Sequence, residues 1–312
     1  MPRLRVVLVA GEGAGAQVLR LLIASGHEVV RVLAEAPPGA GAGATPWQVA
    51  RAAGLAHGPL AEAVEPNFAA TLREERMDLL LNVHALLILP AAVVEAPRIG
   101  SYNLHPGPLP GLAGLNAPSW AVYEGRTSHG VTLHRMTAGV DEGAIAYAAS
   151  FALTEADTGL SVSLRCVREG LPLVDLLLRQ AAEDPAAIPA LVQDPALRQW
   201  HGRAAPDACR LRWSRRAAEL ARLVRACDYG PFVSPWGRPR ARFAGEEIEV
   251  VRARPTREPA GRSPGSVRVT PEGTVAVATA DDWIEILSIR HQGRLLDPRD
   301  VIADGARLED GA

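Results

Sequence analysis

Two side chains that can support acyl transfer stand two residues apart near the middle of the chain. Asn103 and His105 share one face of a predicted strand, because successive side chains of a strand alternate between its faces. An amide can donate a hydrogen bond to a developing oxyanion, and an imidazole can take a proton from a nucleophile. Pro106, Pro108 and Pro110 stiffen the loop that follows. The pair indicates a candidate site for acyl transfer.

A carboxylate that can orient this imidazole follows in a later turn. Asp141 is bracketed by Gly139 and Gly143, directly after a predicted strand. A carboxylate beside a histidine can hold the ring in one orientation and stabilise its charged form. Each of these polar residues, taken alone in a loop, is more often a cap or turn residue than a catalyst. Only their combination points to catalysis.

A glycine-rich turn near the N terminus favours a different function. Gly11, Gly13 and Ala16 follow the spacing of a dinucleotide-binding fingerprint between a strand and a helix, and Glu35 stands where a ribose-binding acid is expected. A tight turn in an α/β sheet needs glycines whether or not it binds a phosphate. We therefore interpret the glycines as turn residues and keep a nicotinamide enzyme as an alternative.

Alternating strands and helices make up the first hundred residues. A β-branched run at 5–10 leads into a helix over 16–24 and a second strand over 28–33. The continuous apolar run at 78–83 is typical of a strand that is buried on both faces. This alternation predicts an α/β fold with a doubly wound, Rossmann-like parallel sheet.

A long helix and a proline-rich segment are predicted to end the first domain. The helix is expected over 160–182, where Pro172 would kink or interrupt it. Residues 184–206 are rich in Pro, Ala and Asp and form the predicted interdomain linker. We therefore predict a catalytic domain over 1–190.

The last third of the chain favours a small β-rich domain. Ser214 is a candidate cap for a helix that runs to Arg225. Short β-branched segments separated by turns predict strands at 247–251, 266–269, 274–278 and 283–289. Residues 207–312 are therefore predicted to form a small, OB-like β-barrel.

The composition is that of an ordinary globular protein. The chain has 312 residues, with 48% hydrophobic residues and a net charge of −2, and all 33 of its basic side chains are arginines. These values exclude a disordered or disulfide-stapled chain. They also give no general attraction for a polyanion such as tRNA, although a local basic patch can still supply one.

The cysteines and the apolar segments bear on the location of the protein. Cys166, Cys209 and Cys227 lack CxxC spacing and nearby paired histidines, so we expect no metal site and a reducing compartment. No segment has the length of a membrane span, and residues 4–10 are too short for a signal-peptide core. We therefore expect a cytoplasmic protein with no membrane contact.

Several motifs together resemble those of a known family. The strand and loop around Asn103 and His105, the run at 130–136 and the turn at Asp141 resemble the folate-dependent formyltransferases. This family includes methionyl-tRNA formyltransferases, amino-sugar N-formyltransferases and the formylation domains of peptide-synthetase assembly lines. The likeness extends to most of the chain, through Ile88-Leu-Pro90, Ala96-Pro97, Trp213-Ser214 and 224–226.

The resemblance implies roles for specific residues. Asn103, His105 and Asp141 would form the catalytic triad, with 10-formyltetrahydrofolate as the formyl donor. Either Asn103 and protonated His105 stabilise the oxyanion, or His105 acts as the base while Asp141 orients it, and the sequence leaves both assignments open. The pterin of the donor would lie against the backbone of two segments, formed by Leu87, Ile88 and Leu89 and by Thr137, Ala138, Gly139 and Val140.

Two departures from the family bear on the amine that receives the formyl group. Ala113 stands where many members carry an arginine, and the run at 114–121 looks most like the assembly-line domains. The segment at 36–46 carries no charged residue, whereas methionyl-tRNA formyltransferases usually carry a basic loop near this position. A loop without charge offers no phosphate contacts to an RNA.

We therefore expect a small or carrier-protein-bound amine as acceptor, either an aminoacyl group or an amino sugar of a biosynthetic pathway. Transfer to tRNA is the first alternative, because the second domain carries Arg238, Arg240, Arg242, Arg252 and Arg254. A formyltetrahydrofolate hydrolase and a non-catalytic folate-binding module are the others. The aromatic segment at 226–237 is expected either to close over the acceptor or to pack the domains together.

Overall fold

The computed structural model of the protein describes residues 2–36 and 45–311, so most of the uncharged loop at 36–46 lies outside the described residues. The chain divides into two compact units. Unit 1 contains the residues up to Gly114 together with His129–Phe151 and Leu164–Trp200. Unit 2 contains Leu115–Ser128, Ala152–Ser163 and the residues from His201 onward.

A seven-stranded sheet forms the centre of unit 1, with strand order β3-β2-β1-β4-β5-β7-β8. Its first five strands are parallel, and β7 runs antiparallel to β5. The predicted α/β class is thereby confirmed. The first nine strands are β1 (Arg5–Ala10), β2 (Glu28–Ala34), β3 (His57–Gly58), β4 (Leu79–Val83), β5 (Gly100–His105), β6 (Ala113–Gly114), β7 (Ser128–Arg135), β8 (Ile145–Ala152) and β9 (Trp200–His201), of which β6 and β9 form a separate pair.

Seven helices accompany the strands of the described chain. The apolar residues of β1 and β4 are fully buried, and Val7 and Leu80 pack in one core cluster with Phe68, Met77 and Val93. This cluster covers the face of the sheet that also carries the candidate site. The helices are α1 (Glu12–Ala24), α2 (Pro46–Ala52), α3 (Phe68–Glu74), α4 (Ala91–Val94), α5 (Ala117–Tyr123), α6 (Gly159–Glu183) and α7 (Ala217–Ala226).

The glycine turn after β1 has a packing explanation. Helix α1 begins at Glu12 and not at residue 16, so Gly13 lies inside the helix. A Cβ on Gly11 would lie 2.4 Å from the backbone oxygen of His84, and the Gly11 N–H donates to the oxygen of Val83 at 2.9 Å. Gly11 is therefore required by the close approach of two backbone segments. This agrees with its interpretation as a turn residue.

Helix α6 is slightly longer than predicted. Thr158 caps it, since its Oγ1 accepts a hydrogen bond from the Ser161 N–H at 3.2 Å. The helix continues through Pro172, so the predicted interruption is wrong. Pro172 faces solvent, while Val174 and other residues of the opposite stripe are buried and hold the helix together across it. Within residues 2–36 and 45–311, neither α6 nor any other helix combines the length and apolar character needed to cross a membrane.

Unit 2 contains an antiparallel sheet of order β12-β13-β14-β11-β10-β16, with β15 paired to β14. The two edges of this curled sheet meet where Ser266 bridges Arg307, in agreement with the predicted small barrel. Helix α7 begins at Ala217, and its first N–H is capped by Asp281 and not by Ser214. The strands are β10 (Arg240–Phe243), β11 (Glu246–Pro259), β12 (Val267–Val269), β13 (Val275–Ala278), β14 (Asp282–His291), β15 (Arg294–Leu296) and β16 (Leu308–Asp310).

Candidate active site

The candidate site lies in unit 1, at the carboxyl ends of β4 and β5. Asn103 pairs in register with Asn82 of β4 on one side and with His134 of β7 on the other. The three polar side chains therefore form a row across neighbouring strands on one face of the sheet. His105 follows on the same face, as the spacing predicts.

His105 is held between two acceptors. The residue is 3% exposed, and its Nε2 donates to the backbone oxygen of Leu112 at 2.7 Å. Its Nδ1 lies 3.5 Å from Oδ2 of Asp141. Burial lowers the pKa of His105, and this outweighs the effects of Asp141 and of the Leu112 bond, which raise it. The neutral imidazole is thereby favoured, with its proton on Nε2 and Nδ1 open to protonation beside the carboxylate.

Asp141 is fixed by its backbone as well as by its partners. The residue has a φ of +57°, a left-handed conformation that is uncommon outside glycine. Its Oδ2 accepts a hydrogen bond from the Gly114 N–H at 2.8 Å. Burial alone raises the pKa of Asp141, but the charge of His105, the neighbouring ring of His134 and the hydrogen bond from Gly114 outweigh it and bring the pKa to about 2. Asp141 is therefore ionised at neutral pH.

His134 connects Asn103 to Asp141. Its Nδ1 donates to the oxygen of Arg135 at 3.0 Å, which leaves Nε2 to accept from Nδ2 of Asn103 at 3.0 Å. The same Nε2 lies 3.4 Å from Oδ1 of Asp141. His134 belongs to the sequence motif at 130–136, but the motif alone indicates no role for it. The signal that points to it is its position in the strand that pairs with the Asn103 strand.

The turn that carries Asp141 is also held from the segment predicted to be a linker. Nε2 of Gln193 donates to the backbone oxygens of Asp141 at 2.9 Å and of Gly143 at 2.7 Å. Nη2 of Arg198 donates to the oxygen of Val140 at 2.8 Å. Residues 191–198 thus form part of the support of the site. Composition alone does not reveal this role, because it depends on contacts distant in sequence.

The two segments expected to hold a donor ring border the same apolar core. Leu89 is buried in the cluster of Val7 and Leu80, and Leu87 and Met136 pack against it. In contrast, Ile88 is 75% exposed. Among the residues that the structure describes, none forms a hydrogen bond with the backbone of Leu87, Ile88 or Leu89.

The loop that follows Met136 offers similar backbone groups. Thr137 Oγ1 donates to the oxygen of Gly139 at 3.2 Å, and Val140 is partly exposed. Within the described chain, the N–H groups of Ala138, Gly139 and Val140 have no backbone acceptor. An apolar border with free backbone donors and acceptors suits a flat, hydrogen-bonding ring, so these residues can hold a pterin.

Comparison with known proteins identifies the family of this chain. The sequence profile of the Formyl transferase family matches residues 5–170, and that of the Formyl transferase C-terminal domain matches residues 203–304. The chain belongs to the formyl transferase family. The resemblance inferred from the motifs is thereby confirmed, and the protein is a formyl-transferring enzyme. Asn103, His105 and Asp141 all lie within the first matched region.

Proteins similar to this formyl transferase are described with different molecules. A methionyl-tRNA formyltransferase from Pseudomonas fluorescens (strain SBW25) is 34% identical over 258 residues, which are 80% of this chain and 78% of the relative. The N-formyltransferase from Helicobacter canadensis, solved with folinic acid and dTDP-3-aminofucose, superposes with a TM-score of 0.69 at 14% identity, over 91% of this chain and 98% of that one.

A third likeness is to part of a longer protein. HypX from Aquifex aeolicus, solved with tetrahydrofolic acid, has a TM-score of 0.60 at 20% identity. The match covers 96% of this chain and 47% of HypX. At these identities, the likeness to both solved structures concerns the fold alone.

Proposed function

We propose that this formyl transferase moves the formyl group of 10-formyltetrahydrofolate to an amine. The observation that carries the proposal is the buried cluster of Asn103, His105, His134 and Asp141, in which an amide, an imidazole and an ionised carboxylate meet at one end of the sheet. The choice of donor is supported by the backbone groups of Leu87–Leu89, which form no hydrogen bond with the described residues. Two proteins of the same fold were solved with tetrahydrofolic or folinic acid, in agreement with this choice.

The proposed roles follow from the hydrogen bonds of the cluster. The donor, when bound, supplies an activated formyl group. Nδ2 of Asn103 carries two hydrogens, of which one points to His134 and the second is free to donate to charge that develops on the formyl oxygen. The lowered pKa of His105 favours a neutral imidazole, which supports its role as the base that takes a proton from the attacking amine. The proton would go to Nδ1, and Asp141, 3.5 Å away, would stabilise the protonated ring.

We propose that the acceptor is a small or carrier-bound amine. Three of the five arginines named for the second domain lie within 4 Å of a carboxylate: Arg238 lies 3.7 Å from Glu249, Arg240 lies 3.5 Å from Glu247, and Arg254 lies 2.6 Å from Glu285. Arginines paired in this way form a balanced surface and give little attraction to RNA phosphates. We further propose that residues 1–190 form the catalytic domain and 207–312 the second domain.

Transfer to methionyl-tRNA is the second candidate. The methionyl-tRNA formyltransferase from Pseudomonas fluorescens shares 34% identity with the chain, which favours this acceptor. A tRNA complex held by phosphate contacts weakens steeply as salt rises. Tight, salt-dependent binding of initiator methionyl-tRNA, together with its formylation, would show that the acceptor is tRNA and not a small amine.

An acceptor screen tests the proposed reaction. The enzyme is incubated with 10-formyltetrahydrofolate and either an amino sugar nucleotide, an aminoacyl thioester of a carrier protein, or methionyl-tRNA, and the release of tetrahydrofolate is followed. We expect release that depends on one of the first two amines. Release that is unaffected by any amine would instead show a hydrolase. If calorimetry detects no binding of folinic acid, the folate proposal is wrong.

A further inference from the structure

Strand β4 carries one polar residue within an apolar run. Asn82 is 6% exposed, and its neighbours Leu81 and Val83 are fully buried. Among the described residues, Oδ1 of Asn82 has no hydrogen-bond partner. A buried acceptor without a partner destabilises a fold, because its bond to water is lost and not replaced. Its presence in a central strand therefore calls for a partner that the described residues do not supply.

The position of Asn82 indicates which ligand that is. Asn82 pairs in register with Asn103, and parallel strands lie about 4.8 Å apart, so the two amides project side by side. Leu80 stands two residues earlier on the same face and packs in the cluster of Leu89, which Leu87 and Met136 border. Asn82 thus lies beside the amide of Asn103 and two residues from Leu80, a member of the cluster that the donor segments border.

We infer that Oδ1 of Asn82 accepts a hydrogen bond from a ring N–H of the reduced pterin, which makes Asn82 a specificity-determining residue for tetrahydrofolates. This inference rests on the proposed folate donor. The reduced ring carries N–H groups at N5 and N8, and an amide oxygen next to the ring satisfies one of them. An apolar residue at position 82 would pack against the same ring without forming a hydrogen bond to either N–H group.

Calorimetric titration with two ligands tests the inference. The probes are tetrahydrofolate and an analogue in which carbon replaces N5 and N8, so that shape is kept and both N–H groups are lost. The wild-type protein is expected to bind tetrahydrofolate roughly 10- to 100-fold more tightly, the range for leaving one buried partner unpaired. In Asn82→Leu this preference is expected to shrink by about that factor, because tetrahydrofolate loses its bond to Oδ1.

Thermal unfolding without ligand separates this role from a structural one. Asn82→Leu is expected to keep or raise the Tm, because it removes an unpartnered acceptor. Asn82→Ala is the second variant if the leucine prevents folding. The matched control is Ser101→Ala on the same face of β5, where Oγ donates to the oxygen of Val94 at 2.7 Å. This control is expected to lower the Tm and to leave the ligand preference unchanged.

The outcomes distinguish the inference from the function on which it rests. If the wild-type protein binds neither ligand, the folate donor itself is wrong. If it binds both equally, or if both Asn82 variants keep the full preference, the donor stands and the role of Asn82 is overturned. A lower Tm with unchanged preference in Asn82→Ala would show a purely structural residue.

Discussion

The two sides of the candidate site are built in opposite ways. The turn that carries Asp141 is fixed by Gly114, Gln193 and Arg198, which bond its side chain and its backbone. The segment Leu87–Leu89 has no such bonds within the described chain, and Ile88 protrudes into solvent. Groups fixed by the protein itself are suited to chemistry, because they need no rearrangement during the reaction. Groups left without partners are suited to binding.

The largest effect is expected on the fixed side. His105→Ala removes the imidazole beside Asp141 and should lower turnover by at least two to three orders of magnitude, the range for one important catalytic group. Formyl transfer measured by the release of tetrahydrofolate checks this, with circular dichroism as the control for folding. Turnover close to that of the wild type would remove His105 from the proposed mechanism.

Asp141 makes the fixed side sensitive to acid. Folding lowers the pKa of its carboxyl to about 2. Its stabilising contribution is therefore complete above the unfolded pKa, near 4, and is lost as the pH falls towards 2. The expected contribution is about 2 kcal/mol in the free energy of unfolding. Denaturant unfolding between pH 6 and pH 2 checks this, and Asp141→Asn should show a smaller acid loss. An equal loss in both proteins would contradict the assignment.

Gln193 supports the turn without touching the proposed reacting atoms. Gln193→Ala removes two hydrogen bonds to the turn and should lower turnover roughly tenfold, because Asp141 loses part of its support. NMR titration of His105 should show a shifted pKa in this variant, which a loss of stability alone would not produce. Gln180→Ala is the matched control, since Gln180 also bonds a backbone oxygen, that of Asp184. Equal turnover and an equal pKa of His105 in Gln193→Ala and Gln180→Ala would contradict the supporting role of Gln193.

The smallest effect on stability is expected in the segment Leu87–Leu89, whose backbone forms no hydrogen bond with the described residues. Ile88→Ala should change the free energy of unfolding by less than about 0.5 kcal/mol, because the side chain is largely exposed. It should nevertheless weaken the binding of folinic acid several-fold. Leu89→Ala, at a buried position of the same segment, should cost about 2 to 5 kcal/mol of stability. Unchanged affinity in Ile88→Ala would contradict the assignment of this segment to the donor.

The sequence predicts the elements that follow local rules. The apolar runs of β1 and β4 and the spacing of Asn103 and His105 depend on periodicity, and the structure places them as expected. His134 and Gln193 were missed, because their roles depend on strand pairing and on contacts distant in the chain. The interruption expected at Pro172 does not occur, since packing on the opposite face of α6 outweighs the local effect of the proline.

The most direct test of the contrast between the two sides uses one variant and two readouts. In Asn103→Ala, turnover and the affinity for folinic acid are measured on the same protein. The account predicts that turnover falls by two to three orders of magnitude, about 3 to 4 kcal/mol, while the dissociation constant of folinic acid stays within roughly threefold of the wild type. Retained turnover, or a parallel loss of turnover and affinity, would contradict it.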